Sequence, residues 1–99
     1  MSSLITDETA VMLYFYNDLC APCLALRPKV EQLLKDSFPQ LKLMKINAAE
    51  HPDLAAKYQV FSAPAILVFF EGQEYIRESK NVSISELHDK IGRLYKLLF

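Results

Sequence analysis

A chain of 99 residues with 52% apolar content can bury a core of its own without cross-links. Its formal net charge of −1, with acidic and basic residues interspersed, leaves no basic stripe and argues against nucleic-acid binding. No apolar run approaches the ~20 residues needed to cross a bilayer, and Met1 to Glu8 lack the basic start and long apolar stretch of a secretion signal.

The expected compartment is therefore a reducing cytoplasm, where two close cysteines argue for catalysis over a structural cross-link. We expect one domain over residues 1–99, with no repeats, linkers or low-complexity tracts. Composition leaves a monomer as the default.

Residues 1–9 are mostly polar, with Leu4 and Ile5 their only large aliphatics, and read as a short arm or strand. Residues 10–16, Ala-Val-Met-Leu-Tyr-Phe-Tyr, form a near-continuous apolar run that suits a central strand covered on both faces. A helix is expected from about Ala21 to Phe38. Leu24, Leu26, Val30, Leu33, Leu34 and Phe38 recur on it at helical spacing, opposite Lys29, Glu31, Gln32 and Lys35. Pro28 should kink this helix without ending it, because the pattern resumes beyond it; Pro39 closes it.

Residues 41–47 give a second strand, and strand–helix–strand order predicts parallel pairing. A short helix is expected from Pro52 to Tyr58, then a third strand over Ala65–Phe70. Glu71-Gly72-Gln73 reads as a tight turn into an antiparallel fourth strand, Glu74–Ser79. Ser83 and Glu86 match a capping box, with Val82 and Leu87 placed as its hydrophobic staple. The last helix carries Leu87, Ile91, Leu94 and Leu98 on one face and a solvated charged face over Lys90 to Lys96. The order β-α-β-α-β-β-α predicts an α/β sheet with helices on its faces.

The chemistry concentrates in Asn17-Asp18-Leu19-Cys20-Ala21-Pro22-Cys23, between the first strand and the first helix. Two residues between the thiols let the sulfurs meet within one helical turn, so a disulfide can close and reopen. Unpaired N–H groups at a helix start, with the helix dipole, favour a thiolate. Cys20 is then the exposed nucleophile and Cys23 the shielded resolving thiol. Pro22 suits an early helical position, where its missing N–H costs nothing.

Two incidental buried thiols are the competing reading. A zinc half-site is disfavoured because His51 and His88 lack paired local spacing. His51 reads as a solvated cap residue and His88 as exposed. Tyr14 reads as a core aromatic whose hydroxyl finds a partner or reaches the edge of the site. Leu19, Phe61 and Ala63 are candidates for an apolar docking patch.

Cys20-Ala21-Pro22-Cys23, Pro28 and Ala63-Pro64, at these spacings and in this order of elements, resemble the thioredoxin family from about residue 10 to the C-terminus. The resemblance implies a thioredoxin-like fold: a mixed sheet of four core strands in the order 2-1-3-4, flanked by three helices. It implies a protein disulfide reductase with Cys20 and Cys23 catalytic, and with Leu19, Ala21, Pro22, Ala63 and Pro64 binding the substrate. Pro64 would be cis against the cysteines, with the Ala63 backbone pairing with the bound polypeptide. No metal or prosthetic cofactor is implied. The implied partners are disulfide-containing proteins and an electron donor resembling thioredoxin reductase, an NADPH-dependent flavoprotein.

The departures from that pattern are specific. Leu19 stands for the family's Trp, Ala21 for Gly, and Lys80 for a loop Gly that shapes the docking rim. Tyr14 and Leu43 stand for its buried Asp and accompanying Lys, which would remove the acid–base pair that assists the resolving thiol. A slower or narrower reductase is expected. The rival is a binding module, an adaptor or redox sensor on the same fold; a thiol oxidase or isomerase lacks both an export signal and a His between the cysteines.

Overall fold

Strand β1 (Ala10–Tyr16) is apolar throughout because it has a neighbour on each edge and helices over both faces. It pairs in parallel with β2 (Lys42–Asn47) and antiparallel with β3 (Ala65–Phe70), and β4 (Gln73–Ser79) adds antiparallel to the far edge of β3. The order is β2-β1-β3-β4, a mixed sheet of the expected kind. The structure is a computed structural model describing residues 10–18, 21–79 and 82–98, side chains of Pro22 and Leu98 excepted. The expectations for residues 1–9, Leu19, Cys20, Lys80 and the side chains of Pro22 and Leu98 lie outside the described residues.

The two-residue repeat of a strand divides the core in two. Ala10, Met12 and Tyr14 face helices α1 (Ala21–Ser37) and α3 (Ile84–Leu98), packing with Leu26, Val30, Leu34, Leu87 and Ile91. Val11, Leu13 and Phe15 face α2 (Pro52–Lys57), packing with Leu54, Ala55 and Val60. β3 follows the same alternation, with Ile66, Val68 and Phe70 toward α1 and α3, and Ala65, Leu67 and Phe69 toward α2.

Several expected boundaries move. α1 ends at Ser37 and α2 at Lys57, so Phe38 and Tyr58 lie just beyond them. The hairpin is tighter than expected. Phe70 pairs with Gln73, leaving Glu71 and Gly72 as a two-residue turn with φ of 52° and 82°. Two consecutive positive φ values match the hairpin turn whose twist suits the flanking strands. β4 then carries a bulge: Val68 pairs with Ile76 and Phe69 with Glu74, so Tyr75 is the extra residue.

Leu24 departs from the expected apolar face, being 56% exposed. α1 runs on through Pro28, whose missing N–H leaves the carbonyl of Leu24 without its helical donor. Both residues lie on the exposed side of the helix. His51 occupies the cap position before Pro52 but makes no side-chain cap bond.

At the start of α3 the Ser83 half of the expected capping box is present. The N–H of Glu86 donates to Ser83 Oγ at 3.3 Å, and Val82 packs against the cluster that contains Leu87. Ser83→Ala is expected to cost about 1 kcal/mol of stability. Urea unfolding, with an unchanged slope and a lower midpoint, checks it.

Candidate active site

The register brings the chemistry to one end of the sheet. Tyr16 pairs with Asn47 and Phe15 with Ala65, so the exits of β1 and β2 and the entry to β3 lie side by side. From the exit of β1 the chain passes Asn17 and Asp18 and reaches α1 at Ala21. Entry to β3 is through Ala63 and Pro64, joined by a cis peptide bond as the family resemblance implies.

Ala21 is exposed at the first position of α1, with Pro22 next on the helix backbone. Cys23, third in the helix, is 2% exposed, matching the shielded position expected for it. It is disulfide-bonded, and no free cysteine occurs among the described residues. Pro64 is buried and Ala63 half-buried. Ala63 lines a shallow pocket of about 320 Å³ together with Asn17, Ala48 and Phe61. Phe61 is 87% exposed, an apolar ring presented to solvent at the rim of that pocket. Among the described residues no group of three His, Cys, Asp or Glu side chains could hold a metal ion.

Two residues shape this end of the sheet from beneath. Asn47 is the buried polar residue at the exit of β2. Its Oδ1 accepts the N–H groups of Ala49 and Glu50 at 3.0 and 3.4 Å, while its Nδ2 donates to Asp18 Oδ1 at 3.4 Å. An Asn that folds the following backbone onto its own side chain is an Asx-type turn. Asn47 is absent from the site residues expected from the sequence. The signal it carries there is slight, a polar Asn closing an apolar strand just before a polar stretch.

The second is Tyr14, 1% exposed, whose hydroxyl donates to the carbonyl oxygen of Cys23 at 2.7 Å. The expectation of a core aromatic with a partnered hydroxyl is met. Burial raises its pKa above the usual 10.0, with Arg27 lowering it and Glu31 raising it. An unfolded chain releases that proton near pH 10 while the folded chain retains it. Stability is therefore undiminished below about pH 10 and falls as pH rises beyond it. In urea titrations between pH 8 and 11, Tyr14→Phe is expected to show a shallower alkaline loss than wild type. Equal slopes would assign that loss to other groups.

A family model described as Thioredoxin matches residues 2–93. The chain belongs to the thioredoxin family. It is 35% identical over 97 residues to Thioredoxin-like protein YdfQ of Bacillus subtilis (strain 168), covering 98% of this chain and 86% of that one. It is 31% identical to Thioredoxin 1 of Chlorobaculum tepidum, covering 87% of this chain and 85% of that protein. Thioredoxin 1 of Thermosipho africanus TCF52B superposes with a TM-score of 0.80 at 30% identity, covering 88% of this chain and 96% of that one.

Thioredoxin-family membership carries thiol–disulfide oxidoreductase function in general, without a prosthetic cofactor. Thioredoxins act on disulfide substrates and are reduced by thioredoxin reductase. Where the thioredoxin pattern has a buried acid, this chain has the neutral Tyr14. Leu43 is half-buried against the same apolar cluster. Apart from the tyrosine, Asn47 is the one polar or charged side chain buried among the described residues, so no fully buried carboxylate occurs among them.

Proposed function

We propose that this chain is a protein disulfide reductase working through Cys20 and Cys23. The observation that carries the reading is Cys23, shielded in the first turn of α1 at the sheet end where Asn17 and Ala63 share a pocket. In this mechanism the Cys20 thiolate attacks one sulfur of a substrate disulfide, and the other substrate sulfur leaves as a thiolate. Cys23 then attacks Cys20, forming the Cys20–Cys23 disulfide and releasing the second substrate thiol. Two electrons pass to the substrate, and an NADPH-dependent flavoprotein returns them.

Leu19, Ala21, Pro22, Ala63 and Pro64 form the substrate-binding rim, to which the exposed Phe61 is added. The working unit is a cytoplasmic monomer of one domain. Trapping tests this reading. When reduced Cys23→Ser protein is mixed with native insulin, a disulfide-linked complex should accumulate and dissolve in dithiothreitol. Absence of any such complex overturns the reading.

One observation favours a second function. With no buried carboxylate beneath Cys23 among the described residues, its deprotonation lacks an internal base. An adaptor or redox-sensing module would need no such base. It predicts disulfide formation without insulin turnover.

A further inference from the structure

We propose that Tyr14 is a positioning residue for the resolving half of the exchange, holding the turn that carries Cys23 in place while the disulfide moves. The proposal rests on the reductase reading above.

The first turn of α1 is weakly tied by the helix itself. Pro28 supplies no N–H to the carbonyl of Leu24, so one of the earliest rungs of the ladder is missing. The neighbouring carbonyl, that of Cys23, receives a tie from outside the helix, the 2.7 Å bond from the Tyr14 hydroxyl. Tyr14 stands on β1, the central strand paired on both edges, and its ring is held in the cluster with Ile66, Val30 and Leu26. A rigid strand thereby braces the helix at the residue that must act second.

The chemistry gives that tie a consequence. During resolution the Cys23 sulfur bonds to the Cys20 sulfur, and the bond between Cys20 and the substrate breaks. Its electron pair leaves on the substrate sulfur, which is then protonated; the Cys23 proton passes to solvent or to that leaving thiolate. The attack is intramolecular, so its rate depends on how well the turn presents one sulfur to the other, and a displacement near 1 Å can cost up to about a hundredfold. The initial attack by Cys20 does not require Cys23 to be in place. Loss of the tie should therefore slow the second step and spare the first.

Ellman's reagent separates the steps. Attack by reduced Cys20 releases one thionitrobenzoate, and resolution by Cys23 releases a second from the mixed disulfide. For Tyr14→Phe, which removes only the hydroxyl oxygen, the first release is expected within twofold of wild type and the second slowed about tenfold. Ile91→Val, an apolar trim of the same core cluster on α3, provides the control for general softening, with melting temperatures recorded for both variants. A second release within twofold of wild type in Tyr14→Phe overturns the role of Tyr14 alone. So does equal slowing of both releases, or an equal delay in an equally destabilised Ile91→Val. A wild-type protein that releases only one equivalent overturns the dithiol reading, and the role of Tyr14 with it.

Discussion

Cys20→Ser is expected to reduce insulin-disulfide reduction to background, a loss of about a thousandfold or more. The size follows from the nucleophile. A thiolate is the attacking species, and a helix start lowers a cysteine's pKa enough to populate it near neutral pH. A serine hydroxyl in the same place is neither ionised at that pH nor able to form the sulfur–sulfur bond on which the reaction depends. Turbidity of insulin with dithiothreitol as reductant measures the effect. Substantial turnover by Cys20→Ser would remove Cys20 from the mechanism.

Phe15→Ala is the variant expected to damage the fold most, by about 3–5 kcal/mol. Phe15 is fully buried on the central strand, facing α2, with its ring centroid 6.3 Å from that of Tyr58. Truncation removes the apolar contacts and leaves a cavity between sheet and helix that neither side can close. With total stability of about 5–15 kcal/mol for a typical domain, the melting temperature should fall by roughly 15–30 °C. Leu97→Ala, at an exposed position on α3, should stay within about 0.5 kcal/mol of wild type. Calorimetry that showed similar losses for the two would contradict the placement of the core.

The burial of Phe15 is legible in the sequence itself. The runs over 10–16 and 65–70 announce two interior strands, because only a strand covered on both faces is apolar at every position. Which residues of β1 meet α1 and which meet α2 follows from the two-residue repeat once the helices are placed. Leu24 misleads because helical spacing marks a face without saying how wide the covered stripe is. The bulge at Tyr75 leaves no mark because one extra residue in a strand changes pairing, not composition.

Of the site, the cysteine spacing and Ala63-Pro64 stand out in the sequence because neighbouring residues carry them. The bond from Tyr14 to the Cys23 carbonyl spans nine residues and depends on the depth at which α1 lies on the sheet. Asn47 reaches Asp18 across 29 residues for the same reason. Contacts of this kind are set by packing, which no local pattern encodes.

The outer strand β4 is one of the two edges of the sheet. A straight, apolar edge offers its free N–H and C=O groups to any extended neighbour and invites edge-to-edge aggregation. Here the extra residue at Tyr75 breaks the spacing of those groups, and Arg77 is clasped by Glu74 while also binding the carbonyls of Tyr58 and Gln59. Glu78 is engaged by Lys90 of α3. A second copy seeking to extend the sheet would meet an irregular ladder lined with hydrated charge. This margin is therefore expected to disfavour edge-to-edge growth.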